Sequence, residues 1–327
     1  MPDKKLTVSA SPHVRSAQTV SGIMLNVIIA LIPALAASVW LFGLRVLLVC
    51  AVTVSVSVLS EYIARKVMKR HNTIGDLSAV VTGLILAFNL PVSIPLWMAA
   101  IGSVIAIVVA KQFFGGIGQN FVNPAIAGRI ILMVSFPTAM TTWTAPFAYK
   151  STQGTITTAT PLAAEESELP SLLKMFLGMR GGSLGETCAA ALIIGGLYLI
   201  IRKIISPAIP LSFIGTVAVI MLIAGKGDLS FVAYQLLSGG LMLGAFFMAT
   251  DYATSPINFK GKIIFGIGCG IITSMIRLFG SLPEGVSFAI ILMNILVPHI
   301  ENLTTPKPFG TVKEKKSKGK EKEAAKA

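Results

Sequence analysis

Residues 82–91 read Thr-Gly-Leu-Ile-Leu-Ala-Phe-Asn-Leu-Pro, an apolar run that stops at an asparagine and a proline. Residues 240–246 read Gly-Leu-Met-Leu-Gly-Ala-Phe, and this second run stops in a similar way at residues 251–256, Asp-Tyr-Ala-Thr-Ser-Pro. Apolar helices that are interrupted by Gly, Pro and polar residues at matching positions of two halves are typical of membrane proteins with inverted repeats. The two stretches therefore predict a pair of broken transmembrane helices.

The composition also indicates a membrane protein. Of the 327 residues, 54% are hydrophobic and only 13% are charged, whereas soluble domains carry about 25% charged residues. This argues against soluble enzymes, nucleic-acid modules and disordered scaffolds. A transmembrane helix needs about 20 mostly apolar residues, and fewer where helices are broken. That length selects ten candidate spans, at 22–42, 44–63, 77–90, 95–111, 121–137, 186–202, 208–225, 231–249, 261–279 and 285–300.

The basic residues predict how the chain crosses the membrane, because such residues concentrate on the cytoplasmic side. With both termini inside, 20 of the 27 basic residues fall in cytoplasmic segments and five on the opposite side. The excess of basic residues, a net charge of +13, therefore reflects the orientation of the chain in the membrane. No nucleic-acid partner is expected. The Lys-rich tail contacts anionic membrane lipid or is simply solvated, and the sequence leaves both interpretations open.

The ten spans divide into two sets of five, and an odd number of spans in each set inverts the second relative to the first. The predicted fold is an all-α integral membrane protein with about ten transmembrane helices in two inverted five-helix repeats. The predicted segments are a cytoplasmic N-terminal segment (1–21), a first repeat (22–137), an extracytoplasmic loop (138–185), a second repeat (186–303) and a disordered cytoplasmic tail (304–327).

Polar residues cluster around both predicted breaks. Irregular backbone at membrane depth needs buried hydrogen-bond partners or a cavity, since lipid offers neither. The alternative is that the polar residues cap helices at the interface. Capping is the favoured interpretation for Asn123 and Ser255, which precede prolines, whereas capping and cavity lining are equally supported for Asp251. The full set is Asn89, Asn120, Asn123, Thr250, Asp251, Thr254 and Ser255.

Two arginines, Arg129 and Arg277, lie within predicted spans. A charge at the centre of a membrane helix costs about 2.5–3.5 kcal/mol, so each should face the protein interior and pair with an anion or a polarised oxygen. For Arg277, near the end of its span, snorkelling to the interface is the alternative. The three cysteines stand singly in apolar runs, so no metal site is expected.

One long extracytoplasmic connection contains residues 154–162, Gly-Thr-Ile-Thr-Thr-Ala-Thr-Pro-Leu. On its own, a Thr-rich stretch is most often a surface loop. Aromatic residues precede it (Trp143, Phe147 and Tyr149), and an amphipathic piece at 172–177 follows it. This context predicts a loop that packs on the membrane surface.

Four motifs connect the chain to a known family. They are Ser-Pro-His-Val-Arg-Ser at 11–16, Gly-Gly-Ile-Gly-Gln-Asn-Phe-Val-Asn-Pro-Ala at 115–125, the run at 251–256, and Pro-Glu-Gly-Val-Ser-Phe-Ala at 283–289. Together they resemble RnfD, a membrane subunit of the Rnf electron-transport complex. The NqrB subunit of the sodium-pumping NADH:quinone oxidoreductase is a near relative, but it usually has a longer N-terminal region than this chain.

The resemblance implies FMN joined by a phosphoester to a threonine. The family's attachment motif places that threonine at Thr160, preceded by Ala159. Thr158 stands where the motif has Gly or Ser, and Gly154 stands where it has an acidic residue. Other possible attachment points are Thr155, Thr157 and Thr158. The loop offers no His–Asp pair to activate a hydroxyl, and the resemblance implies that a separate flavin transferase makes the bond.

The resemblance further implies a non-covalent riboflavin among the helices. We expect its pocket at the second break and its neighbours. The expected cofactor-binding residues outside the loop are Asn123, Arg129, Asp251 and Thr254. The implied protein is a bacterial inner-membrane flavoprotein that is not catalytic alone. It would relay electrons in a ferredoxin:NAD+ oxidoreductase that moves Na+ or H+, together with the other Rnf subunits, RnfA, RnfB, RnfC, RnfE and RnfG. The alternative function is a non-redox secondary transporter or channel, because inverted repeats and this urea-channel-like fold also occur there.

Overall fold

The computed structural model describes residues 18–150, 157–158, 170–280 and 285–306. The first half consists of a series of helices and two irregular connections. Its helices are α1 (Val20–Phe42), α2 (Arg45–Val67), α3 (Ser78–Phe88), α4 (Leu96–Val104) and α5 (Pro124–Ser135). A 3₁₀ turn, Ile74–Asp76, precedes α3, and a π-helical segment, Ile105–Gln112, continues α4.

The connection between the halves contains short elements, and the second half is again helical. The connection holds α6 (Pro137–Thr141), the antiparallel pair β1 (Trp143–Thr144) and β2 (Thr157–Thr158), and α7 (Leu172–Leu177). The second half holds α8 (Ala189–Ile201), α9 (Ala208–Ala224), α10 (Leu229–Leu237), α11 (Leu241–Leu243), α12 (Phe259–Phe279) and α13 (Val286–Thr304). A π-helical segment, Gly244–Met248, continues α11.

The ten predicted spans are all helical, and the protein is an all-α membrane protein. Four helices in the described residues (α1, α2, α12 and α13) are long and apolar enough to cross a bilayer. The eighth predicted span is broken, because α10 and the segment Leu241–Met248 meet at a bend of 65°. The other five predicted spans correspond to shorter apolar helices, of which α3 and α5 are the shortest, as the sequence predicts for spans three and five.

Large apolar side chains cover the outside of the bundle. Trp40 is 54% exposed, Leu48 58% and Ile223 74%, although soluble proteins rarely expose extended apolar patches. These helix faces therefore suit contact with lipid. The interior is filled by side chains from both halves, such as Phe88 and Phe213, which are fully buried.

At the first break, backbone carbonyl groups accept hydrogen bonds from the segment that precedes α8. The helix α3 ends at Phe88, and the Gly185 N–H donates to the Phe88 carbonyl at 2.9 Å. The Leu184 N–H donates to the Leu90 carbonyl at 3.0 Å. A helix end in an apolar environment must have partners for its carbonyls. Residues 184–185 supply them, in agreement with the expectation that irregular backbone at membrane depth has buried partners.

Helices of the two halves of the chain pack on each other. Within the halves, α2 packs on α3 and α4, and α9 packs on α12. Between the halves, α1 packs on α8 and α5 packs on α13. The α1–α8 contact is close enough that a Cβ at Gly195 would lie 2.1 Å from the Ala30 carbonyl oxygen.

The two ends of the bundle differ, and we name them here. The terminal face is the end where α1 begins and α13 ends, and there the Ser21 hydroxyl donates to the Gly75 carbonyl at 2.9 Å. The loop face is the opposite end, where β1 lies. On the loop face the Phe147 N–H donates to the Leu41 carbonyl at 2.7 Å, which fastens the loop to the end of α1.

Candidate functional site

A cavity of about 380 Å³ lies between the two broken helices, in the half of the bundle nearer the terminal face. One wall is formed by α1 and α3, and the other by the π-helical segment Gly244–Met248 and the turn that follows it. Pockets for small molecules and cofactors are usually 300–1,000 Å³ and lie where elements diverge. The contact between the two halves of the chain, next to the interrupted helices, is such a place.

The cavity has apolar walls with a few polar groups that converge on it. Aromatic and aliphatic side chains such as Phe246, Phe247, Ile85 and Ile205 form most of the wall. The polar side chains that line it are Ser78, Thr82, Lys111, Asn120, Asn123, Thr250 and Asp251. This combination suits a flat heteroaromatic ring that needs apolar packing and a few hydrogen bonds at its edge.

Asn123 both caps a helix and lines the cavity. Its Oδ1 accepts from the Ala125 N–H at 3.0 Å, as expected of a residue before the first turn of α5. Its Nδ2 donates to the Met248 carbonyl at 3.1 Å, at the end of the second broken helix. The capping interpretation of Asn123 is therefore confirmed, and the same side chain joins the first repeat to the second.

Asp251 lines the cavity and caps no helix among the described residues. The next helix, α12, begins at Phe259, with Asn258 at its N-cap position. The Thr254 hydroxyl donates to Asp251 Oδ2 at 3.1 Å, so Thr254 orients the carboxylate although it does not itself line the cavity. Of the two interpretations of Asp251, the structure supports cavity lining.

The capping interpretation of Ser255 is wrong. Ser255 is 8% exposed and lies four residues before α12 begins. Proline at position 256 suggested a helix start, but the chain bends through residues 257–258 before it becomes helical. The turn at 250–256 is thus buried irregular backbone. The Asn294 amide of α13 supports it, since its Nδ2 can donate to the Thr254 carbonyl at 3.0 Å.

Arg129 is 1% exposed and faces the interior, as predicted for a charge within a span. Its Nη1 donates to Asn89 Oδ1 at 2.6 Å and to the Ser287 hydroxyl at 3.2 Å. Arg129 thereby ties the end of α3 to the beginning of α13, across the two repeats. It does not line the cavity, unlike the predicted cofactor-binding residues Asn123 and Asp251.

Arg277 binds the bend between α10 and α11. Its Nη1 donates to the Gln235 carbonyl at 2.5 Å, and its Nη2 donates to the Ser238 carbonyl at 3.1 Å. Both carbonyls belong to the C-terminal end of α10, where a cation satisfies exposed acceptors and the helix dipole. Of the two interpretations of Arg277, the structure supports pairing with polarised oxygens inside the protein.

A buried ion pair, which the sequence did not lead us to expect, lies beside the cavity. Lys111 Nζ lies 2.8 Å from Glu61 Oε2, and their side chains are 3% and 0% exposed. Lys111 is the last residue of the fourth predicted span and was counted only for its side of the membrane, so its burial was not predicted. The available signal was Glu61 itself, an acidic residue near the end of an otherwise apolar run.

A second buried polar cluster lies in the segment before α8. The Arg180 Nη2 donates to the Glu186 carbonyl at 2.9 Å, and the Ser183 N–H donates to Glu186 Oε1 at 3.1 Å. In the part of the chain that the structure describes, several buried polar atoms of this segment have no hydrogen-bond partner. They are Arg180 Nε and Nη1, Ser183 Oγ, Glu186 Oε2 and Thr187 Oγ1. Such atoms usually bind ordered water.

The structure describes only the beginning of the Thr-rich stretch. Thr157 and Thr158 form β2, which pairs with β1 so that Trp143 lies opposite Thr158 and Thr144 opposite Thr157. Trp143 is 6% exposed, and the Ser93 hydroxyl donates to the neighbouring Thr142 carbonyl at 2.9 Å. The strand is therefore attached to the bundle at the loop face. The predicted attachment residue Thr160, together with Ala159 and the alternative Thr155, lies outside the described residues.

Comparison with known proteins shows where the chain belongs. Residues 7–310 match the model of the NQR2, RnfD, RnfE family. The chain is 49% identical over 322 residues, 97% of this chain and 99% of the relative, to a subunit of the Na(+)-translocating ferredoxin:NAD(+) oxidoreductase complex of Acetobacterium woodii. It is 46% identical over 93% of its length to the corresponding subunit of the proton-translocating complex of Clostridium ljungdahlii, of which it covers 96%. It is 38% identical over 89% of its length to the corresponding subunit of the ion-translocating oxidoreductase complex of Stutzerimonas stutzeri, of which it covers 92%. With its broken helices and a family match over nearly its whole length, the chain belongs to the NQR2, RnfD, RnfE family.

Proposed function

We propose that this protein is the flavin-carrying membrane subunit of an ion-translocating ferredoxin:NAD+ oxidoreductase complex. The observation that carries the proposal is the cavity at the repeat interface, with its apolar walls and convergent polar groups. The names of the three relatives, which all denote the same subunit of ion-translocating oxidoreductase complexes, support the assignment to such a complex. The other subunits of that complex would be the partners of this chain.

Riboflavin is the proposed occupant of the cavity. Phe246, Phe247 and Ile85 would pack on its ring system, and Lys111 and Asn120 would offer donors to its polar edge. A volume of about 380 Å³ falls in the range of cofactor pockets. A bound flavin would supply one-electron and two-electron redox chemistry, and the residues of the cavity would set its potential.

FMN is the proposed second cofactor, joined by its phosphate to the Thr160 hydroxyl. The sequence of the attachment motif, which ends at Thr160, supports this proposal. A covalent bond would keep the flavin at a high effective concentration beside its redox partner on the outer side of the membrane. A separate flavin transferase would form this bond. The protein would lie in the plasma membrane of a bacterium, with both termini in the cytoplasm and the flavin-bearing loop on the outer side.

The covalent flavin is tested by the fluorescence of the denatured chain. The protein is produced with its flavin transferase, separated on a denaturing gel and illuminated for flavin emission. We expect a fluorescent band for the wild type and for Thr157→Ala and Thr158→Ala, and a dark band for Thr160→Ala. Equal amounts of folded protein are loaded in each lane. Flavin fluorescence in the Thr160→Ala band would show that the flavin is attached to another residue. A wild-type band without fluorescence would refute the proposal of a covalent flavin.

The cavity flavin is tested by extraction. Riboflavin released by acid from the purified chain is quantified by chromatography, and we expect about one molecule per chain. Ala253 lines the cavity, so Ala253→Phe should reduce the riboflavin content by at least tenfold. Ala36 is exposed on α1, and Ala36→Phe provides the matched control that should retain riboflavin. Equal riboflavin in both variants would show that the cavity is not the binding site, and a flavin-free wild type would favour the non-redox transporter.

A further inference from the structure

The buried pair of Glu61 and Lys111 belongs to a hydrogen-bonded network. Glu61 Oε1 accepts from Gln112 Nε2 at 3.0 Å and from the Thr73 hydroxyl at 2.9 Å. Its other oxygen accepts from Lys111 Nζ at 2.8 Å. Removing two charges from water is unfavourable by several kcal/mol for each ion, and apolar residues of similar volume are often at least as stable. Stability alone therefore does not explain why two charged residues occupy this position.

From Lys111 the network continues to the protein surface. Lys111 Nζ donates to Ser78 Oγ at 2.6 Å, and Ser78 Oγ donates to Asp76 Oδ1 at 2.5 Å. Asp76 is half-buried and belongs to the 3₁₀ turn Ile74–Asp76, where the neighbouring Gly75 is exposed on the terminal face. The three side chains form an unbroken hydrogen-bonded chain.

The inner end of this chain opens into the cavity, because both Lys111 and Ser78 line it. Lys111 lies on the π-helical segment Ile105–Gln112, and such segments occur frequently at functional sites. The chain thus connects the proposed flavin site with the terminal face. All its members can carry or pass a proton: an ammonium group, a hydroxyl and a carboxylate.

Other charged groups also face Lys111 and define its electrostatic environment. Glu61 comes from α2, and Asp251 interacts with Lys111 from the turn after the second broken helix. At the end of α2, Arg70 Nη1 donates to the Gln112 carbonyl at 3.0 Å, and Arg65 lies against Gly116. Lys111 therefore lies between carboxylates on two sides, with two guanidinium groups near the terminal face.

We propose that Lys111, Ser78 and Asp76 form a proton path from the terminal face to the cavity. The inference rests on the proposed function, because it requires a redox-active ring in the cavity. A bound flavin would supply the electron-accepting ring, and the Lys111 ammonium group would be the donor of one proton for each electron that reduced ferredoxin delivers. The Lys111 amine then takes a proton from the Ser78 hydroxyl. Ser78 is reprotonated by the Asp76 carboxyl group, which takes its proton from water at the terminal face.

The stoichiometry of this path is one proton for each electron. The negative charge of each electron would be balanced by the positive charge of the proton that Asp76, Ser78 and Lys111 move, so the net charge of the cavity would be unchanged. A charge left in a membrane interior is unfavourable, and this compensation favours electron entry. In this scheme Glu61 is a positioning residue, because it holds the Lys111 ammonium group without contacting the ring.

The path is tested by timing proton uptake in the full-length chain. Thr160→Ala is used as the background so that only the cavity flavin responds. The flavin is reduced rapidly by the reduced methyl viologen radical, a one-electron donor that releases no proton when it is oxidised. Proton uptake is followed with a pH-indicator dye in a stopped-flow instrument. We expect Ser78→Ala to slow proton uptake, expressed per bound riboflavin, by at least tenfold. Ser78→Thr keeps a hydroxyl and should restore the rate.

Two further variants, Asp76→Asn and Ser103→Ala, test whether slower proton uptake is specific to the proposed path. Asp76→Asn changes a half-buried residue near the surface and should slow uptake as Ser78→Ala does, even if the serine variant folds poorly. Ser103→Ala removes a buried hydroxyl that donates only to the Ala99 carbonyl among the described residues, and it should leave the rate unchanged. Wild-type rates in both Ser78→Ala and Asp76→Asn would overturn the proton path. A wild-type chain without riboflavin would instead refute the cavity assignment on which the path rests.

Discussion

Replacing Lys111 with methionine keeps most of the side-chain volume but leaves Glu61 as a buried carboxylate without its cation. Removing one partner of a buried ion pair usually destabilises a protein by about 3–5 kcal/mol. Glu61 keeps hydrogen bonds from Gln112 at 3.0 Å and from Thr73 at 2.9 Å, and each such bond to a charged group contributes about 1.5–3 kcal/mol. We therefore expect a loss near the lower end of the range for a broken buried pair, about 3 kcal/mol.

The double variant Glu61→Leu with Lys111→Met separates the charge effect from packing. With both charges absent, no uncompensated group remains, and we expect the free energy of unfolding to return to within about 1 kcal/mol of the wild type. The two single variants should each be less stable than the double variant, which gives a strongly favourable coupling energy between the two sites.

The free energies are measured by reversible unfolding in mixed detergent micelles, followed by circular dichroism. All variants are compared at equal flavin content, because a bound ligand itself stabilises the folded state. A Lys111→Met variant within about 1 kcal/mol of the wild type would refute the reasoning. So would a double variant that is no more stable than either single one, since the charges would then not act as a pair.

Two further predictions concern the contacts between the repeats. Arg129→Met removes both hydrogen bonds that tie α3 to α13, and we expect a loss of about 2–4 kcal/mol in the same unfolding assay, whereas a loss below about 0.5 kcal/mol would contradict the bridging role. Gly195→Ala should destabilise the protein by about 1–3 kcal/mol, because the new Cβ would lie 2.1 Å from the Ala30 carbonyl oxygen. Gly215→Ala is the matched control: its Cβ meets nothing within 4 Å, so the higher helix propensity of alanine should stabilise the protein by up to about 1 kcal/mol. Equal effects of the two glycine substitutions would contradict the α1–α8 contact.

The helical spans could be predicted from the sequence because the bilayer imposes a simple rule. Apolar runs of the right length become helices, and each predicted run is helical in the structure. The breaks at Asn89 and after Met248 were visible for the same reason, since Pro and clustered polar residues interrupt an apolar run. The interior position of Arg129 followed from the unfavourable free energy of a charge in lipid.

The partners of these residues could not be predicted, because they come from distant parts of the chain. Nothing local indicates that residues 184–185 close the first break, or that Arg277 binds the end of α10. The burial of Lys111 was not predicted, because a lysine at the end of a span usually lies at the membrane surface. Only the packing of α2 against the π-helical segment reveals the buried Glu61 beside it.

Ser255 shows why a local signal can mislead. A serine before a proline is typical of a helix start, yet α12 begins four residues later. The polar turn is buried against α13, through Asn294, and its hydrogen bonds are made in the tertiary structure. Helix propensity therefore does not decide its conformation.

The most direct measurement of the proposed flavin attachment is mass spectrometry of the peptide that contains residue 160, from protein matured in its native host. We predict that this peptide is heavier by the FMN adduct, and that fragmentation assigns the added mass to the Thr160 side chain. An unmodified peptide recovered in full yield would contradict the claim that this membrane scaffold carries a tethered flavin on its outer loop.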